Sequence, residues 1–256
     1  KLRHIVSTGT RNKKLDLEAA AERNIQVSHT DWGPSKASTC EMTWTLILAA
    51  MKQLPNIMLS SSRLTWRDTD SAGALPGVLH GQRLGLIGLG QIGQRVAAVG
   101  KALGMDVATW SPNMTPERAL EHGATAVGLE ELLTTSAVVS LHLVPAGATR
   151  HLLNQERLRL MRPGSLLVNT SRAELIDTPA LIEALKEGRP GFAAIDVFDT
   201  EPIEPTNELL ALPNVLLTPH YGFVSEPVYR KFAEGIRESL RSWLAEGSVL
   251  SSSAPA

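Results

Sequence analysis

The chain has 256 residues, 43% of them apolar, and a formal net charge of −1, enough for one large domain or two modest ones and too neutral for a polyanion binder. Its single cysteine, Cys40, excludes an internal disulfide and fits a reducing compartment. No apolar run approaches the roughly 20 residues that span a bilayer and no secretory leader pattern is visible, so a cytoplasmic protein without nucleic-acid or membrane partners is expected.

In chain order, "HIVST" (4–8) reads as a strand, "GTRNKKLDLEAAAERN" as a loop and helix, and "IQVSH" (25–29) as a second strand. The loop "DWGPSKAS" leads to an apolar helix from about Thr39 to Gln53, and residues 60–82 read as a linker or long surface loop. From Arg83 the texture becomes regular: strands "RLGLIG", "DVATW", "AVVSLHL", "SLLVNT", "FAAIDVF" and "VLLTPH" are separated mostly by helical stretches. Short apolar strands alternating with amphipathic helices predict a doubly wound parallel sheet of α/β class, covered on both faces. The chain closes with the helix "EPVYRKFAEGIRESLRSWLAEG" and a tail "SVLSSSAPA" expected to be disordered.

The string "GLGQIG" puts Gly88, Gly90 and Gly93 in the G-x-G-x-x-G pattern between a strand and a helix, which is the context a dinucleotide site requires. Gly88 permits the turn, Gly90 lets the pyrophosphate approach the backbone, and Gly93 lets helix and strand pack closely. The usual acidic partner for the ribose is expected roughly 20 positions on. Asp106 lies at that distance but starts its strand, at the wrong end of the sheet. After "VATW" stand Ser111, Pro112 and Asn113, with Arg118 nearby. No carboxylate there repels a 2′-phosphate, so the cofactor is NAD or NADP.

Three polar residues follow successive strand ends: Arg172 after "SLLVNT", Glu201 after "FAAIDVF" and His220 after "VLLTPH". Ligands of such sheets bind beyond these carboxyl ends. Arg172 suits a carboxylate clamp, His220 a general acid–base, and Glu201 an orienting partner for the imidazole. The remaining histidines show no metal-ligand spacing, and no metal site is expected.

The strings "LGLIGLGQIGQRVA", "VVSLHLV", "LLVNTSRAELID", "AAIDVFDTEP" and "NVLLTPH" resemble the D-2-hydroxyacid dehydrogenases, a family that includes phosphoglycerate dehydrogenase and glyoxylate/hydroxypyruvate reductases. The resemblance implies Arg172 on the substrate carboxylate and Glu201 with His220 as the acid–base pair. It also implies Gly90, Gln91 and Ile92 on the pyrophosphate, Asp196 near the nicotinamide amide, and Thr149 and Thr170 as further cofactor contacts. "STGTRN" (7–12) resembles the substrate loop, which brings Gly9, Thr10 and Arg11 to the carboxylate. The architecture implied is a Rossmann domain over 38–221. Its partner is a truncated flavodoxin-like substrate domain, formed by 1–37 and the returning segment 222–256. The apolar helix after Thr39 is a subunit interface in this family, which implies a homodimer.

The sequence departs from the family pattern at several points. Ala173 follows the arginine where a glycine is usual, Phe192 and Ala137 replace a usual glycine and aspartate, and Arg11 replaces a common glycine. A positive φ at Ala173 would strain it by about 1 kcal/mol or more. At ~30 residues per βα unit, on the order of 60 residues of the family's substrate domain are expected ahead of "HIVST". The function expected is hydride transfer between a nicotinamide cofactor and a small 2-oxo or D-2-hydroxy acid. The alternative is a catalytically vestigial dinucleotide-binding scaffold or an inactive fragment of such an enzyme.

Overall fold

The computed structural model describes residues 1–9, 15–61 and 75–252, with the backbone alone for 59–61 and 246–252. The chain divides into two compact units, Lys1–Ser38 with Phe223–Ala256, and Thr39–Gly222.

In the first unit, strands β1 (His4–Ser7) and β2 (Gln26–His29) pair in parallel. Helix α1 (Leu17–Glu22) joins them, its first turn capped by Asp16, whose Oδ1 accepts from the Ala19 amide at 2.9 Å. The long helix α9 (Glu226–Ser252) packs on both strands. It continues into the serines expected to be disordered, because nothing before Ser252 breaks a helix; residues 253–256 lie outside the described ones. Trp32 meets Phe223 and Phe232 edge to face, at centroid separations of 5.3 and 5.5 Å. Trp32 is therefore a packing residue of this unit.

The second unit contains helices α2 (Ser35–Met51, from its fifth residue), α3 (Leu54–Ser61), α4 (Gln91–Ala102), α5 (Pro116–Leu120), α6 (Leu129–Thr135), α7 (Gln155–Leu160) and α8 (Thr178–Lys186). Its strands are β3 (Arg83–Ile87), β4 (Asp106–Trp110), β5 (Thr125–Ala126), β6 (Val138–Leu141), β7 (Leu166–Asn169), β8 (Phe192–Ile195) and β9 (Val215–Leu217). All seven pair in parallel, in the order β5-β4-β3-β6-β7-β8-β9. The two-residue β5 has too few residues to show a strand period in sequence. The linker expected at 60–82 falls largely outside the described residues.

The alternation of the strands fills both faces. Leu84, Leu86, Val138, Leu166, Val168 and Ala194 pack into one core with Trp44, Ile47 and Val96. Ile87, Val139, Leu141, Leu167, Ala193 and Ile195 pack into the other with Leu132, Leu158 and Leu181. At about 1.5–3 kcal/mol per fully buried large apolar side chain, these layers fix the register of every strand. That register aligns the strand ends. Ile87, Leu141, Asn169, Ile195 and Leu217 form one row across the sheet. The segments that follow them therefore leave from a single edge, and the order reverses between β3 and β6, where a ligand crevice opens. No helix among the described residues is long and apolar enough to cross a membrane.

Candidate active site

The glycine turn joins β3 to α4. Gly88 has φ +102°, and a Cβ there would lie 2.7 Å from the His142 carbonyl oxygen. A Cβ on Gly93 would collide with the Gly88 carbonyl, so this glycine lets α4 close on the strand. Gly90 is different: it is the N-cap of α4, makes no side-chain cap, and a Cβ on it would meet nothing within 4 Å. Gln94 is the first residue of the helix to donate to an intrahelical carbonyl, that of Gly90 at 2.9 Å. The amides of Gln91, Ile92 and Gly93 thus precede the helical ladder beside open space, a cradle suited to a pyrophosphate. These residues fit a dinucleotide. Gly90→Asp is expected to weaken NADH binding at least about tenfold with the fold retained, since a carboxylate would oppose the phosphates in space that accepts a side chain. Gly93→Ala is expected to lower the melting temperature as well. Fluorescence titration and a thermal melt of each variant check both.

Ser111 follows β4 beside the turn, where the Gly88 amide donates to the Trp110 carbonyl at 2.8 Å. Asp106 sits at the opposite end of β4, bound by Arg83 Nε at 2.7 Å. A cleft of about 160 Å³ lies between Leu89 and Gln94 of the turn and Met114, Arg118, Glu121 and His122. Arg118 Nη1 donates to the Asn113 carbonyl at 2.8 Å, which holds the guanidinium over the segment after β4.

His142 ends the strand β6 segment against the glycine turn. Its Nε2 lies 2.9 Å from Ser140 Oγ, and burial pushes its pKa down to about 4. The folded state thus keeps the ring neutral where the unfolded chain protonates it near the ordinary 6.5. Between these values the unfolded state binds more protons, so stability rises with pH. From pH 5 to pH 7 the wild type is expected to gain about 2 kcal/mol more than His142→Asn, as read from urea midpoints. Parallel profiles for the two proteins would remove this assignment.

Beyond the ends of β8 and β9 the structure brings Glu201 and His220 together. His220 Nδ1 lies 2.7 Å from Glu201 Oε2, while Glu201 Oε1 accepts from the Phe198 amide at 3.0 Å. Both carboxylate oxygens are engaged, so the imidazole has a fixed partner. About a third of each side chain remains exposed (35% and 37%), which leaves the pair reachable by a reactant. His220 has φ +56°, a left-handed conformation that costs a non-glycine residue on the order of 1–3 kcal/mol. Its amide donates to the carbonyls of Asp196 at 2.8 Å and Thr218 at 3.0 Å.

Asp196 is 1% exposed, and its carboxylate serves the same loop. Oδ1 accepts from Thr218 Oγ1 at 2.5 Å and the Tyr221 amide at 2.8 Å, and Oδ2 from the Gly222 amide at 2.8 Å. The side chain that the resemblance assigns to the nicotinamide thus braces the histidine loop from beneath.

Arg172 is exposed, in extended backbone, with Nη1 donating to the Ser171 carbonyl at 2.6 Å. Ala173 opens a short 3₁₀ turn, Ala173–Leu175, and is not among the residues with positive φ. The strain expected there is absent, because a right-handed turn accepts a Cβ. Thr149 is buried, its hydroxyl accepting from the Ala146 amide at 2.8 Å and donating to the Ala146 carbonyl at 3.2 Å. Thr170 is buried too, 2.7 Å from the Thr43 hydroxyl. Each of these hydroxyls has partners within the protein. Gly9 belongs to the other unit, where its amide donates to Thr30 Oγ1 at 2.9 Å; Thr10 and Arg11 lie outside the described residues. Among the described residues, no group of three or more His, Cys, Asp or Glu side chains could hold a metal ion.

The family model described as D-isomer specific 2-hydroxyacid dehydrogenase, NAD binding domain, matches residues 44–222. The chain is 36% identical to a glyoxylate reductase of Aeropyrum pernix, over 97% of its own length and 75% of the relative's. It is 38% identical to a D-3-phosphoglycerate dehydrogenase of Methanocaldococcus jannaschii, over 97% of its own length but 48% of the relative's. The crystal structure of a phosphoglycerate oxidoreductase from Vibrio cholerae O395 superposes with a TM-score of 0.88 at 35% identity, covering 96% of this chain and 78% of that one. The chain belongs to the D-isomer specific 2-hydroxyacid dehydrogenase family.

Proposed function

We propose that this chain interconverts a small 2-oxo acid and its D-2-hydroxy acid, with Arg172, Glu201 and His220 as the working residues. The observation that carries the reading is the 2.7 Å contact of His220 with Glu201, on the sheet edge that also presents the glycine cradle and Arg172. Bound at Gly88–Gly93, a nicotinamide cofactor supplies or accepts the hydride. Arg172 holds the substrate carboxylate through paired N–H donors. Glu201 accepts a hydrogen bond from Nδ1–H, which makes Nε2 the ring nitrogen that gives a proton to the carbonyl oxygen during reduction and takes it from the hydroxyl during oxidation. Gly9, Thr10 and Arg11 are the further carboxylate holders that the resemblance suggests.

Either NAD or NADP serves. Ser111 in place of an acidic residue, with Arg118 held beside it, supports acceptance of the 2′-phosphate. Leu48, Leu54, Ile57 and Met58 on α2 and α3 are 40%, 46%, 44% and 63% exposed, and such an apolar patch supports a homodimer.

The test is absorbance at 340 nm with NADH or NADPH and glyoxylate or hydroxypyruvate. Oxidation of the cofactor that depends on the 2-oxo acid is expected. Cofactor binding without turnover of any 2-oxo acid would instead support the vestigial scaffold.

A further inference from the structure

Asn169 is the last residue of β7, is 1% exposed, and has no part in the chemistry described above. Its side chain nevertheless grips the chain on both sides of the Arg172 nitrogen. Oδ1 accepts from the Ser171 amide at 3.0 Å, and Nδ2 donates to the Arg172 carbonyl at 2.9 Å. The neighbouring Ser171 hydroxyl donates to the Leu143 carbonyl at 2.8 Å, which ties the same segment to the chain leaving β6. The backbone of Asn169 is itself locked in the sheet, its carbonyl accepting from the Asp196 amide at 3.0 Å. A short amide on a rigid strand end thus spans the two peptide units that set the direction of the arginine. A carboxamide suits this, because one bond needs an acceptor and the other a donor, and its two terminal atoms supply one each.

We infer that Asn169 is the positioning residue of Arg172: it fixes the arginine backbone so that the guanidinium is presented to a carboxylate in one orientation. This rests on the reading of Arg172 as the carboxylate clamp. A pre-organised clamp binds its anion without first ordering its own loop. Loss of Asn169 therefore weakens capture of the 2-oxo acid while leaving the proton-transfer pair and the glycine cradle as they are.

The experiment is a double-mutant cycle on the full chain with Asn169→Ala, Arg172→Ala and the pair. Three quantities are read: KM and kcat for glyoxylate, Kd for NADH, and Kd of the protein–NADH complex for oxamate, an unreactive isostere of a 2-oxo acid. Arg172→Ala is expected to raise the glyoxylate KM and oxamate Kd at least about 100-fold, and Asn169→Ala to raise both about tenfold, the Asn169 variant alone keeping kcat and NADH affinity nearly unchanged. The double variant is expected to match Arg172→Ala alone. Asn169→Asp is isosteric and keeps the acceptor for Ser171 but loses the donor to Arg172, so it is expected to share the KM effect. It carries the test if the alanine variant does not fold. A KM effect of Asn169→Ala that persists in full on top of Arg172→Ala would overturn the inference, as would loss of NADH binding in both Asn169 variants. If Arg172→Ala itself leaves KM and oxamate binding unchanged, the clamp reading fails and takes this inference with it. That outcome is told from the others by the single arginine variant.

Discussion

His220→Ala is expected to lower kcat at least ~100-fold, within the range typical of lost general acid–base catalysis, with NADH affinity retained. On a barrier scale this is about 2.7 kcal/mol or more. Such a loss has two origins to separate, since His220 is both the proposed proton carrier and a residue at φ +56°. His220→Asn separates them, because asparagine tolerates the left-handed region but carries no titrating ring. Both variants are expected to be inactive, with asparagine the better folded by thermal melt. Turnover within tenfold of wild type in His220→Asn would remove the histidine from the chemistry. Glu201→Gln is expected to fall between them and the wild type: the amide oxygen can still accept from Nδ1–H, but a neutral acceptor holds the ring less firmly than a carboxylate.

The parts of this site that were legible in the sequence are those whose signal is local. The glycine turn is readable because a strand must precede "GLGQIG" and a helix must follow it, and the structure has β3 and α4 in those places. Asp106 is set aside by the same logic: the first residue of a parallel strand cannot reach the carboxyl edge, and Arg83 holds it at the other end. Asn169 and Asp196 are of another kind. As letters in "LLVNT" and "AAIDVF" they look like polar punctuation at strand ends. Their partners are backbone groups of Ser171 and Arg172 in one case, and of Tyr221 and Gly222 in the other. The i to i+2 spacing of the Asn169–Ser171 bond is that of a common Asx turn and so singles nothing out, and the Asp196 bonds join residues 25 and 26 positions apart. A polar residue at the last position of an otherwise apolar strand, just before a candidate catalytic residue, is the only available signal. The positive φ of His220 has no such signal either: its amide is held by the carbonyls of Asp196 and Thr218, and one of these partners lies on another strand end. At Ala173 a departure from the family pattern suggested strain, and a local 3₁₀ turn removes it. Comparison by residue type does not carry backbone conformation with it.

Asp196→Ala is expected to be the most destabilising single change in the site, by roughly 3–5 kcal/mol. The estimate follows from what the substitution orphans. Hydrogen bonds to a charged group contribute about 1.5–3 kcal/mol each, and a buried donor left unpaired costs about 1–3 kcal/mol. The Thr218 hydroxyl and the Tyr221 and Gly222 amides all lose their acceptor together. Set against a typical total of about 5–15 kcal/mol, this is a large fraction of the stability of the whole chain. The loop at risk is the one that carries His220, and its left-handed backbone has to be held against the tendency to relax. Activity is therefore expected to fall more steeply with temperature than in the wild type, and before global unfolding begins. Asp196→Asn discriminates the carboxylate from mere volume. Its oxygen can keep the Thr218 and Tyr221 bonds, but its NH₂ then opposes the Gly222 N–H, and about half the loss is expected to remain. Urea denaturation of the three proteins, with turnover followed in parallel, measures both effects. Stability within about 1 kcal/mol of wild type in Asp196→Ala would mean that water or a rearranged loop replaces all three bonds. The histidine would then be held by Glu201 and by the backbone bonds of its own amide, and Glu201→Gln would have to loosen the ring.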